Sequence, residues 1–452
     1  TTNGSATLSA IAKDAAGNTT ISTPVTVTIL NISPPPSSSS SLWVSAYLYG
    51  VYPTNYLPAQ YYNVNNIDWN SFTHALYFGS GVSASYENLD HVADAWVENP
   101  LTVTRAAHAR GKIILLSIGH SLDLNFRYAI QPAHRTNFIN NILAIMDQYE
   151  FDGFDLDFER NTAGGWGIGP DAADYSAFVI QLYNALQLKH AWYNQAKKPL
   201  IFVATAWDTA LWPVLQPYID QINLMSYQMA GTWPWISWHE NAVFSRLPDG
   251  TIFAKDPATN WELDSIQKRY LNLTAAGVDK RKLGMGIGLY IQTESGGVTA
   301  TDPTQGISEP LQVWTTPPTV TGGGGNDTYK AVWNTYLNNP AYATMKRWDD
   351  RAKAPYIKIF SNDGNPANEK MISWADENTI ASVVQFVKDN GIGGVMVFDY
   401  GAGGIPGTAT SPANPWMDAL KQAAFGTGGG GDTTPPTVSL TAPANGATVG
   451  NT

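Results

Sequence analysis

Four acids stand at fixed spacing in one octet, Asp152-Gly153-Phe154-Asp155-Leu156-Asp157-Phe158-Glu159. On a β-strand, side chains alternate between faces, so Asp155, Asp157 and Glu159 share one face and Phe154, Leu156 and Phe158 the other. Asp and Glu are poor strand residues. A carboxylate taken into a fold is costly unless it is protonated, paired or hydrogen-bonded. A chain keeps such a face mainly where the acids do chemistry, because close carboxylates titrate together and one of them holds its proton longest. Three other readings stay open at this level. The acids can line the wet face of an antiparallel sheet. They can ligate a hard cation, although the EF-hand spacing and its Gly are missing. They can belong to an ion-pair network, although the octet holds no basic residue and Arg160 only follows it.

The surrounding pattern favours chemistry. Short apolar runs at 43–48, 72–78, 112–117, 153–158, 200–206, 221–227, 283–290 and 394–399 read as strands. Helical spacing of apolar residues recurs at 134–149, 172–188, 264–276, 379–390 and 416–424. Eight strands alternating with helices predict an α/β fold, a (β/α)8 TIM barrel, whose active site lies where the strands end. The predicted strands end in polar or aromatic residues: Tyr47 and Tyr49, Tyr77, Ser117, Asp157 and Glu159, Trp207 and Asp208, Tyr227 and Gln228, Tyr290, Asp399 and Tyr400. The acidic strand is the fourth, with Glu159 just past its end. The long stretch 291–373 reads as a wall of the site. The loop 231–238 holds Trp233, Trp235 and Trp238, a sugar platform or an ordinary loop core.

Composition narrows the partners. The 452 residues carry 26 basic and 37 acidic side chains, a net charge of -11, which argues against nucleic acid or an anionic membrane. There is no Cys, so neither disulfide nor thiol chemistry is expected. No cofactor is called for, and the seven His residues show no spacing that suggests a metal site. No apolar run is long enough for a membrane span and no signal peptide is seen.

The flanks read differently from the centre. Residues 1–32 alternate in two runs around the turn cluster Asp14-Ala15-Ala16-Gly17-Asn18, a hairpin similar to the last strands of a bacterial immunoglobulin-like module. Residues 33–41 form a Pro/Ser linker and 426–434 a Gly-rich one. Residues 435–452 resemble the first strand of a further immunoglobulin-like module. The catalytic barrel is expected over 42–425. The chain opens Thr-Thr-Asn, so the expectation is a piece of a longer secreted, extracellular protein, with the barrel a monomer.

The octet fits the DxxDxDxE pattern of glycoside hydrolase family 18, the chitinases and their relatives, with Asp152, Asp155, Asp157 and Glu159 at its four acids. Ser117-Ile118-Gly119-His120 resembles the family's SxGG segment on the third strand. Met225-Ser226-Tyr227-Gln228 resembles MxYD on the sixth, and Gly393-Gly394-Val395-Met396-Val397-Phe398 the GGxMxW strand. The resemblance spans 42–425. Three positions depart from it: His120 stands for Gly, Gln228 for Asp and Phe398 for Trp.

What the resemblance implies is substrate-assisted, retaining hydrolysis of β-1,4 bonds between N-acetylglucosamine units. Glu159 protonates the leaving oxygen. The substrate's own acetamido oxygen attacks the anomeric carbon and forms an oxazolinium ion. Asp157 orients the acetamido N–H, Asp155 shares a proton or hydrogen bond with Asp157, and Tyr227 donates to the acetamido oxygen. Glu159 then activates water to open the ring. Asp152 is assigned a structural role. The expected sugar contacts are Gln228, Met225, Phe398, Tyr290, Trp207, Trp233, Trp235 and Tyr47. Chitin or its oligosaccharides are the implied substrate. An endo-β-N-acetylglucosaminidase acting on N-glycans, or a chitin-binding lectin of the same fold, are the alternatives.

Overall fold

The computed structural model describes the strands at 4–8, 11–13, 19–21 and 25–29. It further describes residues 42–49, 63–93, 98–119, 124–159, 161–162, 165–166, 168–205, 208–231, 235–289, 291–322, 333–361, 363–404 and 414–426. The chain divides into two compact units, Thr1–Ser41 and Leu42–Thr452.

In the first unit Ile11–Lys13 pairs antiparallel with Thr19–Ile21, and Gly4–Leu8 with Val25–Ile29. The paired strands agree with the predicted hairpin, while the turn cluster at 14–18 lies outside the described residues. The linker at 33–41 and the segment 435–452 fall outside the described residues.

In the second unit eight parallel strands close on themselves: Trp43–Tyr49, His74–Val82, Ile113–Ile118, Gly153–Leu156, Leu200–Thr205, Gln221–Leu224, Leu283–Gly288 and Gly394–Phe398. The eighth pairs with the first, and the first with the second, so this barrel has no free edge. Two apolar clusters follow from the period of two. Outward side chains such as Phe154, Leu156, Leu224, Met285 and Val395 pack under the helices. Inward ones, Leu76, Phe78, Leu115, Phe202, Tyr227 and Met396, fill the barrel itself. Tyr77 falls in the outer set and its hydroxyl donates to the Val92 carbonyl, so it is a packing residue rather than part of the mouth.

Glycine decides two close approaches. Gly153 opens the fourth strand at φ +142°, and a Cβ there would lie 2.1 Å from the Leu200 carbonyl oxygen. Gly286 on the seventh strand leaves room for the Tyr227 ring, which a Cβ would meet at 3.1 Å.

The helix at Arg135–Tyr149 packs Phe138, Ile142 and Met146 inward, and Ala172–Leu186 packs Tyr175, Phe178 and Leu182. Glu377–Asn390 starts at Asp376, whose carboxylate accepts from Asn378 N and Thr379 N, and stops at Gly391 in the left-handed region. A helix at Pro100–His108 was not expected from the sequence. Its Thr and Val residues are weak helix formers; Asn99 caps it, Pro100 leads it, and buried Val103 and Ala107 hold it.

The stretch 291–373 is built rather than looped. It contributes a five-stranded antiparallel sheet in the order Thr319–Gly322, Ile291–Ser295, Lys370–Trp374, Ala354–Ile359, Lys346–Asp349. The segment joining Ile291–Ser295 to Thr319–Gly322 is fastened to the loop after the sixth strand by the Ile236–Val313 bridge and by bonds from Ser237 Oγ to Glu309 O and from Gln312 N to Ser237 Oγ.

Candidate active site

The octet does what its alternation predicts. Gly153–Leu156 lies between the third and fifth strands, with Ser117 and Phe202 both in register with Asp155. The regular strand ends at Leu156, two residues earlier than expected, and Asp157 N continues to the Ile118 carbonyl at 2.9 Å. Asp155 and Asp157 are buried, and Glu159 stands half-buried at the mouth.

Asp155 Oδ2 accepts two hydroxyl bonds, from Tyr47 at 2.8 Å and from Ser117 at 2.7 Å. Burial still wins over these bonds and lifts its pKa from 3.8 to about 6. Asp157 is pushed well above the usual carboxylate range by burial, then by the charges of Glu159 and Asp155. Glu159 is raised by burial from 4.5 to about 7. Tyr227 lies beside these acids: burial, then the charges of Glu159 and Asp157, keep its phenol protonated. A proton donor poised near neutral pH therefore stands with two further buried acids and a neutral phenol, a set equipped for general-acid catalysis.

Two assignments change. Asp155 does not share a hydrogen bond with Asp157 here. Its bonded oxygen faces Tyr47 and Ser117, and the Oδ1 atoms of both Asp155 and Asp157 are buried without a hydrogen-bond partner. Coupling between the two acids is electrostatic. Tyr47 is not a sugar contact either. It is 1% exposed, and its hydroxyl is spent on Asp155. Its inward position on the first strand is the signal that places it under the acid.

Phe398 is brought to the site. Its ring lies 5.2 Å from that of Tyr47, 5.4 Å from Phe78 and 6.3 Å from Tyr227. Met225 packs at the edge of the inner cluster, and its carbonyl accepts from the Arg269 guanidinium. Gln228 presents an exposed side chain on a backbone at φ +53°. The tryptophans of the loop after the sixth strand divide. Trp238 is fully buried and donates to the Asp264 carbonyl at 2.8 Å, so it is loop core, whereas Trp235 is 55% exposed. Trp207, Trp233, Tyr290 and His120 lie outside the described residues.

Asp152 anchors the foot of the strand. Its carboxylate accepts from Ile114 N at 2.9 Å and from Tyr193 N at 2.5 Å, and His108 Nε2 lies 2.9 Å away. Two strand-end residues have partners that the sequence reading did not assign, and one buried acid escaped it. Ser117 was read as a strand end and as part of a motif, not as a hydrogen-bond partner of Asp155. Asp399, just past the eighth strand, is raised by burial to about 7 while accepting from Ala402 N at 2.9 Å. Glu240 touches the segment that carries Tyr227, and nothing in the local sequence sets it apart from a solvated loop acid.

The sequence model for glycosyl hydrolases family 18 matches residues 50–403, well over half of the chain. Among curated relatives, "Chitinase A1" of Niallia circulans is 26% identical over 332 residues, covering 70% of this chain and 42% of its own length. "Chitinase B" of Serratia marcescens is 24% identical over 392 residues, covering 74% of this chain and 73% of its own. The fold agrees with the crystal structure of Ostrinia furnacalis Group IV chitinase at TM-score 0.65 and 18% identity, over 85% of this chain and 99% of that one. A family 18 N-acetylglucosaminidase from Paenibacillus barengoltzii superposes at TM-score 0.60 and 18% identity, over 84% and 99%. A family match that runs through every strand from the second to the eighth leaves one assignment: the chain belongs to the glycosyl hydrolases of family 18.

Proposed function

We propose that the chain is a chitinase that cleaves β-1,4 bonds between N-acetylglucosamine units with retention, using the substrate's acetamido group as nucleophile. One observation carries the reading. An acetamido group offers one N–H and one carbonyl, and Asp157 and Tyr227 present one acceptor and one donor beside Glu159. Glu159 gives its proton to the leaving oxygen. The acetamido oxygen closes on the anomeric carbon, and Asp157 offsets the positive charge that spreads to nitrogen. Glu159, now a carboxylate, takes a proton from water as the water opens the ring. Asp155 supplies negative charge behind Asp157, held in place by Tyr47 and Ser117. Exposed Trp235 is a candidate stacking face for a neighbouring sugar. In this reading the enzyme is a monomeric, extracellular bacterial protein whose N-terminal hairpin belongs to an immunoglobulin-like module, supported by the polymeric substrate and the paired strands of that hairpin.

The test is product analysis by mass spectrometry after incubation with chitohexaose and, separately, with a high-mannose glycoprotein. Short N-acetylglucosamine oligomers with an intact glycoprotein support the reading. Released glycan with untouched chitohexaose replaces the substrate and keeps the chemistry. Silence on both, with binding retained, moves the protein to a lectin role.

A further inference from the structure

We propose that Glu240 is a positioning residue that fixes Tyr227 by holding the backbone of Gln228; the inference rests on Tyr227 serving the reaction as described above. The sixth strand ends at Leu224, so Tyr227 is carried by irregular chain. The next residue, Gln228, sits at φ +53°, a left-handed conformation that a side-chain-bearing residue adopts only where its surroundings impose it. Glu240 imposes it. Its Oε1 accepts the Gln228 N–H at 2.8 Å, and the side chain is fully buried.

Glu240 is itself held on every side. Its own N–H donates to Ser373 Oγ at 3.1 Å, and its carbonyl accepts from Met229 N at 3.3 Å. The Gln292 amide, turned so that its nitrogen faces the carboxyl group, reaches Glu240 Oε2 at 3.0 Å and Ala230 O at 3.1 Å. Ser373 and Gln292 belong to the five-stranded sheet, so the clamp ties that sheet to the catalytic loop. The other end of the segment is gripped as well, because the Arg269 guanidinium donates to the Met225 carbonyl while pairing with Asp264. A donor on the carbonyl at the start and an acceptor on the amide at the end match the polarity of the backbone between them. A buried acid is an expensive space-filler. Burial lifts its pKa to about 8, with the Gln228 amide and Arg269 drawing it back, so the side chain is mostly protonated at neutral pH and holds the Gln228 amide through its carbonyl oxygen.

The experiment is a double-mutant cycle in the full chain, with Glu240→Ala, Tyr227→Phe and the pair, assayed on chitohexaose. A displacement of about 1 Å near the reacting group costs on the order of a hundredfold in rate. We expect Glu240→Ala to lower kcat by tenfold to about a hundredfold with KM changed less than about threefold. The pair should be no slower than Tyr227→Phe alone, because residues acting as a unit are not additive. Losses that multiply, or a kcat within twofold of wild type, overturn the proposal. Should Glu240→Ala fail to fold, Glu240→Leu, which keeps volume but offers no acceptor, is taken through the same cycle and read by the same criterion. Residue-resolved hydrogen exchange gives an activity-independent arm: the Gln228 amide should exchange at least about tenfold faster without Glu240. Unchanged exchange refutes the clamp. A wild-type protein silent on chitohexaose refutes the function reading instead, and the exchange arm still decides the clamp.

Discussion

Replacing Asp155 by Asn should make the protein more stable at neutral pH while it loses activity. Asp155 is fully buried, and burial raises its pKa from 3.8 to about 6 although Tyr47 and Ser117 both donate to it. The folded state therefore binds the proton more tightly than the unfolded chain does. Its contribution is fully present below the unfolded pKa, near 4, and is lost as pH rises towards about 6, beyond which it changes no further. The loss amounts to about 3 kcal/mol, at ~1.4 kcal/mol for each tenfold change in proton affinity. Asn keeps the volume and an oxygen able to accept from both hydroxyls, and it carries no charge. Over roughly 380 residues of barrel, an unfolding entropy of ~2.1 cal/mol/K per residue turns ~3 kcal/mol into a Tm gain of about 4 °C. Calorimetry at pH 8 should show that gain, and at pH 4 the two proteins should melt within about 1 °C of each other, since Asp155 is then protonated in the folded wild type. A gain of equal size at both pH values, or a loss at pH 8, would show that the buried charge is not the cause.

Four further outcomes follow from the geometry. Activity should fall as pH rises through about 7, where Glu159 loses its proton, with kcat/KM dropping about tenfold per pH unit above that point. Glu159→Gln should abolish turnover, while calorimetric binding of chitohexaose persists. Asp152→Ala leaves the amides of Ile114 and Tyr193 without their acceptor, so urea unfolding should show a loss of about 2–5 kcal/mol with kcat within twofold of wild type. Gly153→Ala forces a Cβ to within 2.1 Å of the Leu200 carbonyl oxygen at a φ that favours glycine, and should cost about 3 kcal/mol or more in the same assay.

Much of this site is legible in the sequence because a strand has only two faces. Once Asp152–Glu159 is read as the fourth strand, the inward set Asp155, Asp157 and Glu159 follows from period alone. The barrel follows from eight apolar runs at helix-spaced intervals, and every predicted run contains an observed strand core. Strand ends were less legible. Ser226 turns its hydroxyl to the Gly286 carbonyl, and the sixth strand stops at Leu224 rather than Tyr227, a tertiary contact that no local propensity encodes. The partners of Asp155 lie 108 and 38 residues away, so their roles emerge only when the register places Tyr47 and Ser117 beside it. The five-stranded sheet was hidden because its strands are short and most of them lie far apart in sequence. Glu240 was hidden for a related reason: it follows Trp238 and His239 in a loop, and only burial shows that it is no surface acid.

The filled barrel has a kinetic consequence. Leu76, Leu115, Phe202 and Met396 close the bore with side chains that no water reaches. Asp155 and Asp157 therefore trade protons with bulk solvent at the mouth rather than through the bore, Asp157 being 4% exposed and Asp155 not at all. A sugar chain lying across the mouth slows that exchange. The protonation state fixed at the moment of binding is then the one carried through the chemical step, so each substrate enters an enzyme that has already chosen whether it can cut.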